Sequence, residues 1–487
     1  MMIRSALVFF AVSCISAASA ASINNLDGAL SATNGNGNFI IQLEKSTCIN
    51  DFVPKLIDNA FELTAQASGH DLVKRGNKIV RRGTEEDHVH VFDAYDLGGS
   101  FKAIGVKFEN KEIIKSLLEK FDGEILKIVP DMDIQFDLPT LKLAGNKRSR
   151  FSRRAGPKAK RKGNLDVNSL GKGCANGDNK AVAMKRAVNA TEPVATTEAI
   201  VSQAGAEWNL IRVSQRNRNY NSPYYYDSSA GSSAYVYVVD DGMNVNHNEF
   251  AGRARWGFTA YTGITRFGTG HGTHVAGTIG GTTYGVAKKA NLIAVQVLDD
   301  TGSGSISSII SGLQWVTNQA SGQKGKAIIN MSLGVDTDGS NDPTLTTFNN
   351  AVSAVVNAGI PIFAAAGNSA KATCQFLPAG NSKVYAVAAS TKTDGLASFS
   401  NYGSCTQVIA PGENIKSSYI SSSSSTAVLS GTSMASPHVA GVAALLVGQL
   451  GNPSPTTLYN AITSYSTKNA ISGVKGTPNN LLFNNAA

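Results

Sequence analysis

The chain has 487 residues, of which 42% are hydrophobic, so it is long enough for more than one domain with a buried core. Its formal net charge is +9, but ten Lys or Arg residues and no acidic residue lie between residues 142 and 162. Because residues 201–487 carry 16 basic and 12 acidic residues, the excess of positive charge is largely local, and we expect no nucleic-acid partner.

Residues 1–20 have the pattern of a secretory signal peptide. Arg4 precedes an apolar run at residues 6–12, and Ala18-Ser19-Ala20 is a small-residue cleavage site. A buried N-terminal helix is the alternative interpretation. The apolar run is too short to span a bilayer, and the sequence shows no later segment that could. We therefore expect a secreted, extracellular protein that does not bind membranes.

Residues 37–137 are predicted to form a small α/β domain. Strands are predicted at residues 39–43, 101–108, 125–129 and 134–136, and apolar residues recur at helical spacing in residues 53–61 and 113–121. Residues 138–200 are of low complexity and basic, which is typical of a disordered linker. The dibasic pairs Arg153-Arg154 and Lys185-Arg186 indicate an alternative, namely a processing segment.

Residues 201–487 are predicted to form a mostly parallel sheet with helices on both faces. Continuous apolar or β-branched runs at residues 234–239, 292–298, 327–331 and 360–365 are typical of buried parallel strands. Residues 306–319 and 344–358 have helical spacing. In such folds, catalytic and binding side chains lie at the carboxyl ends of the strands, so residues at these positions are the candidates for a functional site.

Three polar side chains stand out at or near such positions. Asp240 ends a strand, His271 opens a glycine-flanked segment, and Ser433 lies in a turn of small residues before an apolar helix. Each also has an ordinary structural explanation: a turn residue or cap for the aspartate, polar surface for the histidine and a helix N-cap for the serine. Together, however, they make a nucleophile, its general base and the group that orients the base.

A metal site is a weaker interpretation of the same segment. His271 and His274 are three residues apart, but no third ligand accompanies them in the sequence. We therefore do not predict a catalytic metal.

The motifs around these residues resemble those of a known family. Asp240-Asp241-Gly242, the segment HGTHVAGT from His271 and the segment GTSMASP around Ser433 are similar to the three signature blocks of the subtilases, in the same order. The segments VLDDTGSGS, FSNYGS and SGTSMASPHVAG resemble the proteinase K-like branch. The resemblance covers residues 201–487 and implies the subtilisin-like fold. Asp241 departs from the pattern, because the family usually has Ser or Thr after the catalytic aspartate.

The resemblance implies a serine endopeptidase with polypeptide substrates. Ser433 is then the nucleophile, His271 the general base and Asp240 the group that holds the imidazole. Asn368 and the backbone N–H of Ser433 match the oxyanion hole of the family. If His271 is the base, activity should fall as the imidazole becomes protonated, below about pH 6 to 7.

Substrate binding is expected to use segments that pair with an extended peptide and a small, uncharged first pocket with a preference for apolar or aromatic side chains. The residues that match these family segments are Gly302, Ser303, Gly304, Ser332, Leu333, Gly334, Ala365, Ala366 and Gly367.

The resemblance also extends to maturation and to stabilising groups. Residues 37–137 resemble an inhibitor-type propeptide, which implies a zymogen inhibited by its own N-terminal domain. Cys374 and Cys405 match a disulfide of proteinase K-like enzymes. No cofactor is needed for the chemistry. Gln407 occupies a position where that branch has a calcium-binding Asp, which argues against that calcium site.

We expect a monomer. A catalytically inert binding or scaffold protein with the same fold is the alternative function, and the intact set of Asp240, His271, Ser433 and Asn368 favours the enzyme.

Overall fold

The computed structural model describes residues 35–68, 72–75, 78–81, 84–86, 89–108, 111–135, 160–161, 199–262 and 267–486. The predicted signal peptide at residues 1–20 lies outside the described residues, as does the predicted linker apart from residues 160–161 and 199–200. Within the described ranges, no helix is both long and apolar enough to cross a membrane.

The N-terminal part of the chain is built on an antiparallel sheet. Its elements are β1 (Gly35–Leu43), α1 (Ile49–Ser68), β2 (Leu72–Arg75), β3 (Lys78–Arg81), β4 (Thr84–Glu86), β5 (Val89–Leu97), β6 (Phe101–Phe108), α2 (Ile113–Lys120) and β7 (Ile125–Gln135). Strands β7, β1, β6 and β5 are adjacent in that order and antiparallel, and β2, β3 and β4 form a separate sheet. Residues along β1 alternate between the two faces, so that Phe39 and Ile41 pack with α1 and α2, whereas Ile40 faces the opposite side.

The C-terminal part contains six helices and eighteen strands within the described residues. The helices are α3 (Trp208–Val213), α4 (His271–Gly280), α5 (Ile306–Ala320), α6 (Pro343–Asn357), α7 (Thr432–Gln449) and α8 (Pro455–Tyr465). The strands are β8 (Lys160–Arg161), β9 (Ile200–Gln203), β10 (Tyr224–Asp227), β11 (Tyr235–Asp240), β12 (Ala254–Thr259), β13 (Tyr261–Thr262), β14 (Asn291–Gln296), β15 (Ser303–Ser305), β16 (Ala327–Met331), β17 (Val335–Asp336), β18 (Ile362–Ala365), β19 (Phe376–Leu377), β20 (Tyr385–Ser390), β21 (Val408–Pro411), β22 (Ile415–Ser418), β23 (Thr426–Leu429), β24 (Thr467–Lys468) and β25 (Asn480–Leu481).

A nine-stranded sheet forms the centre of this part, in the order β12-β14-β11-β16-β18-β20-β21-β25-β24. All neighbouring strands are parallel except β24 and β25. Along β11, Val236 and Val238 pack on the face covered by α4, α7 and α8, whereas Tyr237 and Val239 pack on the face covered by α5 and α6. The predicted class, an α/β fold with helices on both faces of a mostly parallel sheet, is therefore confirmed.

The first residues of the helices explain where several of them begin. Pro343 is the first residue of α6, where its missing N–H costs no hydrogen bond, because N–H groups of the first turn have no acceptor within the helix. The carboxylate of Asp342 caps the helix by accepting a hydrogen bond from Thr344 N at 2.7 Å. The side chain of Ser305 caps α5 by accepting from Ser308 N at 3.1 Å. Helix α7 differs because residues 432–447 are all buried, which is typical of a helix at the centre of a large core.

The N-terminal sheet packs against α5 and α6 of the C-terminal part. Its apolar face, with Tyr95, Leu97 and Phe101, belongs to the same buried cluster as Ile306 and Phe348. The buried carboxylate of Asp131 accepts hydrogen bonds from Ser307 N at 2.9 Å and Ser307 Oγ at 2.7 Å, at the N-terminus of α5. In addition, β15 pairs antiparallel with β7 and becomes the edge strand of the N-terminal sheet.

Most of the predicted elements are confirmed, with small shifts at their ends. The predicted strands at residues 101–108 and 327–331 coincide with β6 and β16, and the helices predicted at 306–319 and 344–358 match α5 and α6 to within one residue at each end. The prediction of two strands at 125–129 and 134–136 was wrong, because β7 runs through Pro130 without a break. Proline is tolerated there because it lies next to a register shift between β1 and β7.

A disulfide joins Cys374 and Cys405, as the resemblance implied. Its Cα atoms are 5.2 Å apart, and the bond links two loop segments of the C-terminal part. Cys174, in the predicted linker, lies outside the described residues.

Removing this disulfide by the double substitution Cys374→Ala and Cys405→Ala is expected to lower the free energy of unfolding by about 4 kcal/mol, because a covalent closure across 31 residues restricts the unfolded chain. Denaturant unfolding followed by tryptophan fluorescence measures the change. Ser404→Ala is the matched control, since its hydroxyl lies 3.9 Å from Cys374 Sγ and its loss should change little. An unchanged unfolding free energy in the double variant contradicts the expectation.

Candidate active site

The three polar residues singled out from the sequence lie at one edge of the central sheet. Asp240 is the last residue of β11, His271 is the first residue of α4, and Ser433 is the second residue of α7. All three are buried, with exposed fractions of 0%, 5% and 6%. His271 and Ser433 line the same cleft, and Asp240 lies beneath His271.

Asp240 and His271 are directly hydrogen-bonded. Nδ1 of His271 lies 2.8 Å from Oδ1 of Asp240, so Nδ1 carries the proton in this pair and Nε2 is turned toward the cleft. Burial by itself lowers the pKa of the His271 imidazole, but the charge of Asp240, its hydrogen bond and the charge of Asp241 together raise that pKa above its usual value.

The hydroxyl of Ser433 takes a different partner. Its Oγ donates a hydrogen bond to the carbonyl of Ser332 at 3.0 Å, and among the described residues Nε2 of His271 has no hydrogen-bond partner. The expected relay is thus formed between Asp240 and His271 but not between His271 and Ser433. Such nucleophile–base contacts often tighten only when a substrate is bound.

A proline inside α7 is compensated by a hydrogen bond at Ser433. Pro437 has no N–H, so the carbonyl four residues earlier, that of Ser433, loses its usual partner in the helix. The hydroxyl of Ser332 donates to this carbonyl at 2.8 Å. Asn330 Nδ2 in turn donates to Ser332 Oγ at 2.9 Å, and Ser436 Oγ donates to Asn330 Oδ1 at 2.8 Å. This buried chain of hydrogen bonds fixes the backbone of the first turn of α7.

Asn368 faces the cleft with a fixed amide orientation. Its Oδ1 accepts hydrogen bonds from Thr432 N at 2.8 Å and from Thr432 Oγ1 at 2.9 Å, and Thr432 Oγ1 accepts from Gly367 N at 3.0 Å. Because both donors of Thr432 engage the oxygen, the amide nitrogen is the end left to donate to a group in the cleft.

The cleft has a volume of about 220 Å³. Of the residues predicted to bind substrate, Ser332, Leu333, Gly334, Ala365 and Gly367 line it. Ala366 does not, because it is buried with its N–H bonded to Val387 O. The segment Gly302, Ser303 and Gly304 is not part of the lining either.

Residues of the N-terminal part occupy one side of this cleft. Asp133 and Ile134 line it, and the backbone of β7 pairs antiparallel with β15, with Gln135 opposite Ser303 and Ile134 opposite Gly304. The side chain of Ile134 is 4% exposed and packs in the same cluster as Leu298 and Leu333. The segment predicted to bind an extended peptide therefore already pairs with an extended strand of this chain.

Eight residues that line the cleft were missed from the sequence, and three of them, Thr432, Asp336 and Phe376, differ in the signal that they offered. Thr432 lies inside the motif around Ser433, so its place next to Asn368 is the one that could have been anticipated. Asp336 and Phe376 belong to no motif and reach the cleft because β17 pairs with β19, which places them opposite each other. Phe376 packs so closely that a Cβ at Gly334 would lie 2.3 Å from its ring.

No group of three His, Cys, Asp or Glu residues that could hold a metal ion occurs within the described ranges. His274, the second histidine of the segment, is buried, and its Nε2 lies 3.1 Å from the carbonyls of both Ile415 and Ala427. Its ring therefore links α4 to the β22–β23 hairpin and does not face the cleft.

The chain is similar in sequence and in fold to known proteins. The sequence profile of the subtilase family, Peptidase S8, matches residues 231–481. Subtilisin-like protease 2 of Pseudogymnoascus destructans is 45% identical over 287 residues, which are 59% of this chain and 69% of that protein. Alkaline protease 1 of Aspergillus clavatus is 44% identical over 292 residues, 60% of this chain and 70% of that protein. The crystal structure of a cold-adapted subtilisin-like serine proteinase is 40% identical and covers 58% of this chain and 99% of its own, with a TM-score of 0.52.

The three buried histidines of this region should titrate very differently. Burial lowers the pKa of His274 to about 3 and that of His438 to about 4, whereas the pKa of His271 is raised from 6.5. We expect NMR of ¹³C-labelled histidine to show His271 titrating above pH 6.5 while the other two rings stay neutral down to about pH 4. His274 and His438 have lowered pKa values in the folded state and therefore gain protons on unfolding below pH 6.5. The free energy of unfolding should thus fall as the pH drops from 6.5 to 4. Ring signals of His274 or His438 that titrate near pH 6.5 contradict this assignment.

Proposed function

Because this chain belongs to the subtilase family of serine endopeptidases, we propose that Ser433, His271 and Asp240 are the residues that hydrolyse the peptide bond. The observation that carries the proposal is the buried 2.8 Å hydrogen bond between Asp240 and His271 at the rim of a cleft that also contains Ser433. Ser433 Oγ attacks the peptide carbonyl and forms an acyl-enzyme, which water then hydrolyses.

In this mechanism Nε2 of His271 accepts the proton of the Ser433 hydroxyl and later delivers it to the leaving amine. Asp240 keeps the other ring nitrogen protonated, which leaves Nε2 as the base. Before attack, the hydroxyl turns from the carbonyl of Ser332 toward Nε2. Because the pKa of His271 is raised, activity is lost as the pH falls through a value above 6.5.

The negative charge on the carbonyl oxygen is stabilised by Asn368 and by the backbone N–H of Ser433. The contact with Thr432 turns the Asn368 amide nitrogen toward the cleft. Ser433 lies in the first turn of α7, where N–H groups have no partner inside the helix and the helix dipole favours negative charge. Donors that are fixed before the reaction stabilise the transition state without reorganising.

Substrates bind as an extended strand along the segment Gly302, Ser303 and Gly304, opposite the segment Ser332, Leu333 and Gly334. The first pocket prefers apolar or aromatic side chains. Ala365, Gly367 and the ring of Phe376 support this preference, and the carboxylate of Asp336 at the same cleft is paired with Lys371 Nζ at 2.7 Å. Ala366 is withdrawn from the pocket, because its N–H donates to Val387 O and its carbonyl accepts a hydrogen bond from Asn401 Nδ2.

The N-terminal part acts as an inhibitor and makes the chain a zymogen. Its strand β7 uses the backbone of β15, which a substrate would also need, and Ile134 fills an apolar part of the cleft. Maturation therefore requires removal of residues 37–137, in accordance with the predicted division into residues 1–20, 37–137, 138–200 and 201–487. Export follows from the signal-like residues 1–20, and the mature enzyme acts on polypeptides as an extracellular monomer.

The chemistry of the family requires no cofactor. We also propose that no calcium binds at Gln407, because its side-chain oxygen accepts a hydrogen bond from Ala386 N and is thereby engaged within the sheet.

The proposal is tested by Ser433→Ala together with labelling by a sulfonyl fluoride. We expect the matured parent protein to cleave casein and to be labelled at Ser433, since the reagent reacts with an activated serine hydroxyl. The alanine variant should show neither property, while its thermal unfolding stays close to that of the parent. Ser464→Ala, which removes an exposed hydroxyl on α8 outside the cleft, is the control for loss of a serine hydroxyl. A parent that neither cleaves casein nor reacts with the label, after removal of the N-terminal part, contradicts the proposal.

Loss of the Asn368 amide should act on turnover and not on substrate binding. Asn368→Leu removes the donor, and we expect kcat to fall by about 100-fold to 1000-fold with little change in KM, because the hydrogen bond forms to the oxyanion of the transition state. Steady-state kinetics with a chromogenic peptide measure both constants. A rise confined to KM, with kcat unchanged, would show that the side chain binds substrate instead.

A further inference from the structure

The helix that carries His271 has no cap of its own. Gly270 is the N-cap of α4, with φ of 97° and no side chain to accept a hydrogen bond. The carboxylate of Asp241, on the neighbouring strand end, takes this role. Its Oδ1 accepts from Gly272 N at 2.8 Å, and its Oδ2 accepts from Thr269 N at 2.8 Å and Thr269 Oγ1 at 2.6 Å.

The loop that precedes α4 lies directly on Asp241, without space between them. A Cβ at Gly268, which has φ of +49°, would lie 2.6 Å from the carboxyl carbon of Asp241, and one at Gly272 would lie 2.1 Å from the carbonyl oxygen of Gly242. The Asp241 side chain is fully buried. Its backbone carbonyl accepts a hydrogen bond from Gln296 Nε2 at 3.0 Å, which holds the strand end from below.

We propose that Asp241 is a positioning residue for His271: it holds the N-terminus of α4 against the end of β11, so that the imidazole stays in register with the carboxylate of Asp240. The inference rests on the proposed function. Two adjacent residues then divide the task, because Asp240 binds the ring and Asp241 binds the backbone that carries the ring.

A carboxylate suits this role better than the hydroxyl that the family usually has at this position. Its two oxygens accept hydrogen bonds from two different segments, Gly272 in the helix and Thr269 in the loop, at the same time. A hydroxyl has a single oxygen, so both segments would have to donate to the same atom, whereas the carboxylate gives each segment its own acceptor. Its negative charge also lies at the positive end of the α4 dipole, which is favourable.

The charge of Asp241 also affects the imidazole. The ionisable groups that face Asp241 within the described residues are Asp240 on β11, His271 on α4 and Tyr419 from the segment after β22. Burial and the charge of Asp240 raise the pKa of Asp241 to about 7. In its ionised form Asp241 contributes to the raised pKa of His271. A neutral side chain here should therefore let His271 stay unprotonated at lower pH.

The test compares the matured forms of Asp241→Asn and of the parent, at equal concentrations of active sites titrated with the sulfonyl fluoride. We expect kcat to fall by about 10-fold to 100-fold with little change in KM, the scale of a small misplacement of a catalytic group. The acidic limb of the kcat/KM profile should move to lower pH because a negative charge next to the imidazole is lost. Asp227→Asn, which removes a buried carboxylate that accepts a hydrogen bond from Ser229 N in the turn after β10, is the matched control and should leave both quantities unchanged.

A second variant keeps the test decisive if Asp241→Asn does not fold. Thr269→Val keeps the shape and the backbone N–H but removes the hydroxyl, which donates to the Asp241 carboxylate at 2.6 Å and accepts a longer hydrogen bond from His271 N at 3.4 Å. We expect kcat to fall about fivefold, the equivalent of the shorter hydrogen bond, with the acidic limb unmoved because the charge stays. The proposal would be overturned if every variant that folds had the same kcat and the same acidic limb as the parent, whatever the melting temperatures.

The failure of this inference is distinguishable from failure of the proposed function. If the parent cleaves casein and Ser433→Ala does not, the protein is a serine protease that uses Ser433. The kcat values of the Asp241 variants can then be used to test whether Asp241 positions His271. The NMR titration of His271 is independent of activity. A lowered titration midpoint in Asp241→Asn supports the inference, and an unchanged midpoint contradicts it.

Discussion

The site depends on keeping one strand end and one helix start within hydrogen-bond distance of each other. β11 ends at Asp240 and α4 begins at His271, both at the same edge of the sheet. The 2.8 Å hydrogen bond between these two side chains therefore joins two elements of the fold. Parallel strands buried on both faces give this edge its rigidity, because every strand is held by neighbours and by helices above and below. Ser433 reaches the same edge at the start of α7, the helix buried along most of its length.

The order of the cleft comes from backbone as much as from side chains. Ser332 donates to the carbonyl that Pro437 leaves without a helical partner, and Thr432 fixes the amide of Asn368. These contacts fix the orientation of a backbone carbonyl in α7 and of a side-chain amide whose oxygen accepts two hydrogen bonds. Donors and acceptors held in this way need little reorganisation when charge develops, which is the physical basis of efficient acyl transfer.

How much could be predicted from the sequence depended on whether the signal was local. Strands such as β16 and helices such as α5 have continuous apolar runs or helical spacing, and their bounds were predicted to within a residue. The strand β5 was missed, because its residues Asp93 and Asp96 interrupt the apolar pattern and their partners, Ser311 and Gln314, lie more than 200 residues away. The same holds for the cleft. Motif residues such as Asn368 were anticipated, whereas Phe376 arrives through the pairing of β17 with β19, which no local pattern encodes.

The N-terminal sheet borrows its edge strand, β15, from the C-terminal part, and this affects what happens to the N-terminal part after it is cleaved from the chain. Once severed, a fragment ending after β7 would leave behind β15, and one face with Tyr95, Leu97 and Phe101 would lose the helices that now cover it. A domain of roughly 100 residues has little stability to spare. Under the proposed function, such a fragment unfolds and becomes a substrate of the protease. Activation then runs in one direction only, because the proposed inhibitor is digested by the enzyme that it had restrained.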